Sequence, residues 1–281
     1  VHELLGGHTR NRLMVYQWVG GDRRAETVQA AEDAVENGYR AFKLNLPQKV
    51  RPLETGAVID RIVERIATIR ETVGTDAFVG VDFHGRVSKP MAVELLRRLE
   101  PFNPMFVDQP LLPEHQDGFG RLSDQTSVPL ATGERLYSRH DFKRLFVEDA
   151  VSVIQPDVTH VGGISEMRKL ASLAETFDVA VVPHCPLGPV AFAASLQVGF
   201  SSQNVVMQEQ DVGIHDPESS PRLALLEEPD VFGFDRGYVE RPSGDGLGVT
   251  VDEEYVRERT HSHVNWQTPV WHHQDGSIAE W

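Results

Sequence analysis

Basic residues are scarce in this chain. It has 27 Lys and Arg against 42 Asp and Glu in 281 residues, a formal charge of −15. A surface of that sign repels phosphate backbones and excludes nucleic acid as a partner. Cysteine is almost missing: the lone Cys185 cannot form an internal disulfide or a zinc ribbon. No apolar run approaches the roughly 20 residues that a membrane span needs. The N-terminus lacks the basic-then-apolar plan of a secretory leader, and no low-complexity segment is present. A folded cytoplasmic protein without membrane or nucleic-acid partners is expected, with a homo-oligomer as its assembly. The chain opens on Val1 rather than Met, which implies a preceding segment.

What is there is a repeating pattern. Short β-branched or aromatic runs alternate with longer stretches in which apolar residues recur every three or four positions. Strands are predicted at Met14 to Val19, Arg40 to Leu44, Ala77 to Val81, Met105 to Val107, Pro129 to Ala131, Val151 to Ile154, Val179 to Val182 and Val205 to Gln208. Helices such as Ala57 to Val73 and Ile164 to Phe177 carry one apolar stripe each. Eight buried strands separated by helices, with no linker between them, fit an α/β class closed parallel barrel; an open doubly wound sheet is the alternative. Residues 14–210 are read as the barrel. From Asp211 to Trp281 the pattern stops, so 211–281 is expected to be a C-terminal extension. In it Gly237 to Arg241 and Leu247 to Val251 pair as short strands, while Trp266, Trp271 and Trp281 pack back on the globule.

The informative residues follow the strands, because barrel active sites collect at the C-terminal strand ends. Asp82 (in VDFHGR), Asp108 (in FVDQP) and Glu134 (in ATGERLYS) are spaced by 26 and 26 residues, about one βα unit each. Three carboxylates held side by side repel one another unless a cation sits between them, and hard oxygen donors suit Mg²⁺. A Mg²⁺ site is therefore predicted. The rim continues with Asp157, His184 and Glu209 at steps of 23, 27 and 25. An Asp beside a His on the next strand orients the imidazole and raises its basicity. His84, two residues beyond Asp82, is placed on the same side by the period of two and faces His184 across the mouth. Lys43 and Asn45 in FKLN, with Arg135, are expected to bind substrate oxygens.

Taken singly, each of these residues has a plainer explanation. An Asp at a strand end is commonly a helix N-cap, and a lone His is commonly structural. Six ionisable residues at six consecutive strand ends are not explained that way. Cys185 has no base in register to make it a nucleophile, and His272 and His273 read as solvated tail residues rather than a metal clip. Together the rim suits removal of a proton next to a metal-bound carboxylate, with His84 placed to protonate a departing hydroxyl.

The segments YQWVGGDR, FKLN, VDFHGRVSKPMA, GERLYSR, IQPDVTHVGGI, PHCPLGP, QEQDVGIH, GLGV and NWQTPVWHHQDGSIAEW resemble the sugar-acid dehydratases of the enolase superfamily, mandelate racemase subgroup. The resemblance implies a modified TIM barrel, (β/α)₇β. It implies Mg²⁺ on Asp82, Asp108 and Glu134, His184 with Asp157 as the base at C2, and His84 as the acid that expels the 3-hydroxyl. Glu209 would bond the substrate carboxylate or the enediolate. The product would be a 2-keto-3-deoxy acid formed from a small aldonate. Gluconate, arabinonate or xylonate as substrate, a racemase or epimerase, and an inactive barrel are the alternatives. Two departures stand out. The family has Glu where this chain has Asp108, and its members begin with an α+β capping domain, of which residues 1–13 are expected to be the remnant junction.

Overall fold

In the computed structural model of the chain, residues 1–20, 24–46, 49–260 and 270–279 are described. The first seven strands are β1 (Arg12–Trp18), β2 (Ala41–Asn45), β3 (Phe78–Asp82), β4 (Phe106–Asp108), β5 (Leu130–Thr132), β6 (Val153–Ile154) and β7 (Ala180–Val181). Each is followed by a helix: α1 (Arg24–Glu36), α2 (Gly56–Val73), α3 (Lys89–Leu99), α4 (Phe119–Ser123), α5 (Arg139–Val147), α6 (Ile164–Glu175) and α7 (Pro189–Ser201). The last barrel strand, β8 (Gln208–Glu209), has no α-helix after it until α8 (Glu253–Thr260). All neighbouring pairs from β8 through β1 to β7 are parallel. A parallel bridge between Val181 and Val205 closes the ring on its other side. The architecture is the (β/α)₇β form of the barrel.

The period of two divides every strand between two environments. Phe42, Leu44, Val79, Val81, Val107 and Ile154 point outward into the main core beneath the helices. Tyr16, Ala41, Phe106, Ala131, Val153, Val182 and Met207 form a separate cluster, the fill expected of a barrel interior. The outer ring rests on amphipathic stripes, Ile59, Ile62, Ile66 and Ile69 in α2 and Met167, Leu170 and Ala174 in α6. α7 is buried nearly all round and carries few polar residues to match.

One expectation for the C-terminal segment changes. β9 (Tyr238–Glu240) pairs antiparallel with Arg12–Met14 of β1 rather than with residues 247–251. Val251 bridges Leu226 instead. Short segments of this composition carry no signal for a partner, and the N-terminal half of β1 offers a free edge. Of the three tail tryptophans, Trp271 is half-buried beneath the Arg86 guanidinium, 5.5 Å from its ring; Trp266 and Trp281 lie outside the described residues. No helix among the described residues is long and apolar enough to cross a membrane.

Gly133 shows how closely the rim is packed. It follows β5 at φ 151°, where a Cβ would lie 2.8 Å from backbone atoms of Gln155. It also immediately precedes Glu134, so the carboxylate's position depends on a residue without a side chain. Gly133→Ala is expected to lower the unfolding free energy by about 2 kcal/mol, read as an earlier urea midpoint; an unchanged midpoint would show that the loop accommodates a methyl group freely.

Candidate active site

β3 and β4 run in register with Asp82 opposite Asp108, and the loop after β5 brings Glu134 beside them. One oxygen from each of the three lies within 4.8 Å of the others, and no other such group of His, Cys, Asp or Glu is found among the described residues. Asp82 and Asp108 are 1% exposed and Glu134 9%. Burial, then the opposing charge of Lys43 and the like charges of Asp82 and Glu134, set the Asp108 carboxyl, which is pushed up to about 8. Glu134 is raised by burial and by Asp82. These are buried acids whose mutual repulsion the nearby positive charge does not offset.

Part of the balancing charge comes from Lys43. Its side chain is fully buried, with Nζ 3.2 Å from Asp82 Oδ2 and 2.5 Å from Asp108 Oδ2. The rings of Trp18 and Tyr16 lie 4.8 and 5.8 Å away. Burial opposes its charge, but Asp108 and Asp82 more than restore it and hold the ammonium protonated. Lys43 is thus a buried counter-ion to these two acids. Gln155, with its amide nitrogen turned to the carboxylate, donates to Asp108 as well.

The two histidines meet on Glu134. His84 Nε2 is 3.5 Å from Oε1, and His184 Nε2 is 3.3 Å from Oε2. Both therefore contact one carboxylate, and His84 reaches it by a turn rather than by the strand's alternation. β3 ends at Asp82, and His84 turns into the left-handed region at φ 50°, its N–H donating to Asp82 Oδ1 at 2.7 Å. His184 Nδ1 lies 2.8 Å from Asp157 Oδ2, while Asp157 Oδ1 accepts from the Thr159 N–H and hydroxyl at 2.7 and 2.6 Å. An acidic partner at Nδ1 leaves Nε2 as the working nitrogen.

Burial works against charge on both rings, yet their surroundings separate them. His184 is pushed up to about 9, because the Asp157 hydrogen bond and the charges of Glu209 and Glu134 outweigh burial. His84 is pushed down to about 4, burial and the cations Arg86, Arg135 and Lys43 outweighing Asp82. At neutral pH, His184 carries the proton and His84 does not.

Glu209 is fully buried, with Oε1 accepting from Trp18 Nε1 and Oε2 from the Cys185 N–H, both at 2.8 Å. Arg135 donates to Gln109 Oε1 at 3.0 Å and to the His84 carbonyl at 3.3 Å. Asn45 lies opposite Asp82, and its Oδ1 is buried with no hydrogen-bond partner among the described residues. Cys185 is buried, its thiol raised by that burial; His272 is exposed and His273 half-buried. Three residues near the site went unread in sequence: Gln109, Gln155 and His160. The amides carry no titratable signal, though Gln155 stands two residues before Asp157. His160 stands three residues after it, its Nδ1 3.2 Å from the Glu134 carbonyl oxygen and its ring 6.3 Å from that of His184.

Residues 26–255 match the sequence profile of the enolase C-terminal domain-like family, and the chain belongs to that family. All 281 residues align at 47% identity with 74% of the D-galactonate dehydratase of Variovorax paradoxus, and at 44% with the same share of the D-galactonate dehydratase of Ralstonia nicotianae. Among solved structures, a mandelate racemase/muconate lactonizing enzyme-like protein from Rubrobacter xylanophilus superposes at a TM-score of 0.84 with 28% identity, over 94% of this chain and 72% of its own.

The His184–Asp157 pair makes stability pH-dependent. Because the folded-state value, about 9, lies above the ordinary imidazole value of 6.5, the pair's contribution is complete below about pH 6.5 and is lost as pH rises toward 9. In chelator-treated protein, stability across that window should fall by about 2 kcal/mol more for the parent chain than for His184→Asn. Parallel denaturation curves would contradict the coupling.

Proposed function

We propose that the chain is a hydro-lyase acting on a sugar acid, D-galactonate or a similar aldonate, and that it forms the 2-keto-3-deoxy acid with Mg²⁺ as cofactor. The observation that carries this reading is the meeting of two histidines on the two oxygens of Glu134, beside two further buried acids. The D-galactonate dehydratases that align along the whole chain support it.

The donor set fits the metal: three buried, mutually repelling oxygen ligands, with Asp108 and Glu134 raised by burial and by the neighbouring acids. Asp82, Asp108 and Glu134 would hold it, and the ion would draw charge from the substrate carboxylate and so acidify the C2 hydrogen. His184 Nε2 takes that proton, with Asp157 holding the ring. This requires His184 to be unprotonated first; the Asp157 hydrogen bond and the charges of Glu209 and Glu134 favour its proton, and a divalent ion held by Glu134 would offset the last of these. The electron pair left at C2 is first held as the enediolate of the carboxylate; it then forms the C2–C3 double bond as the C3–O bond breaks. The departing hydroxyl takes its proton from His84 and leaves as water, and the enol then tautomerises to the 2-keto acid. An anionic substrate beside His84 favours the protonated ring that this step needs.

Asn45, with its unpartnered oxygen, and Arg135 at the rim are the proposed substrate contacts. Lys43 keeps Asp82 and Asp108 together. Glu209 holds the backbone of Cys185 beside His184 and adds negative charge that favours the imidazolium.

The test is a panel of aldonates in deuterated solvent with Mg²⁺, following the 2-keto product and deuterium at C2. D-Galactonate or a close relative should be dehydrated. His184→Asn should lower exchange by at least about a hundredfold. His84→Asn should block dehydration yet leave exchange. Exchange without product in the parent chain would indicate an epimerase, and equal loss of both processes in His84→Asn would reject its role as the acid.

A further inference from the structure

His160 has no part in the chemistry above, yet it stands at the mouth with its hydrogen-bonding sense already fixed. Its Nδ1 lies 3.2 Å from the Glu134 carbonyl oxygen. A carbonyl can only accept, so Nδ1 carries the ring proton, and in the neutral imidazole Nε2 is left as a bare acceptor. The ring is exposed, tilted 34° to that of His184 at 6.3 Å between centroids, with the edge of Tyr137 against it at 6.1 Å. A carbon chain whose C2 hydrogen rests at His184 Nε2 therefore extends its further carbons past an acceptor one ring away. In an aldonate those carbons bear hydroxyl groups, which are hydrogen-bond donors.

We propose that His160 is a specificity-determining residue that accepts, through Nε2, a hydrogen bond from a sugar-acid hydroxyl beyond C3. This inference rests on the aldonate reading of the same site but assigns His160 no proton transfer. The Glu134 carbonyl sets the tautomer, so the backbone beside a proposed metal ligand also orients the residue that reads the sugar.

Calorimetric binding of D-galactonate to the full chain with Mg²⁺ tests the assignment without requiring turnover. His160→Ala should weaken binding about tenfold, the loss of one hydrogen bond. His160→Gln, which keeps an acceptor, should recover most of that loss, and His160→Lys, which offers only donors, should not. Mg²⁺ affinity should stay unchanged in all three variants. Undiminished galactonate binding in His160→Ala, or equal rescue by Lys, overturns the proposal. A parallel drop in Mg²⁺ affinity also overturns it, since His160 would then serve only to hold Glu134. Galactonate that binds in this pattern but is never dehydrated overturns the proposed reaction and leaves the His160 assignment standing. A parent chain that binds no galactonate overturns both.

Discussion

Repulsion among three buried carboxylates is the constraint on which the site depends. Two unit charges 4 Å apart at an effective dielectric near 20 cost about 4 kcal/mol, so Asp82, Asp108 and Glu134 cannot be ionised together without cations close by. The fold answers with Lys43, buried against two of the three and backed by Trp18 and Tyr16. One ammonium cannot neutralise three acids. Burial and the remaining imbalance raise Asp108 and Glu134, and Glu134 adds to the Asp157 hydrogen bond and the Glu209 charge that keep a proton on His184. A divalent cation would relieve all of these effects together, and for that reason the acids and the histidines act as one electrostatic unit.

The barrel provides this unit through register. Parallel pairing sets Asn45 opposite Asp82 and Asp82 opposite Asp108, so residues separated by whole βα units become lateral neighbours. Glu134 and His84 depart from strand geometry. The first follows a glycine held against the Gln155 backbone, and the second takes a left-handed turn anchored on Asp82. Each departure aims a side chain that a regular strand would direct elsewhere, and backbone strain of that kind gathers at functional sites.

Much of this was legible in the sequence. Alternating apolar periods located all eight barrel strands within a few residues, and the spacing of strand-end acids and histidines brought together the residues that do converge. Other features were not legible, for identifiable reasons. The position of Lys43 after Phe42 indicates a rim residue, but its length lets the ammonium fold inward to the acids, and only packing reveals this. His84 reaches the mouth by a turn where the sequence argued from pleat. β9 found its partner in the free edge of β1, a contact between residues more than 220 positions apart. Gln155 and His160 contribute by hydrogen bonds whose partners lie on neighbouring loops.

The central claim is that Asp82, Asp108 and Glu134 form one cation site. Titration of Mg²⁺ into chelator-stripped protein by calorimetry tests it most directly. One ion per chain should bind to the parent, and Glu134→Gln should abolish that uptake while remaining folded. Undiminished binding in that variant, or no heat from the parent chain, would contradict the account.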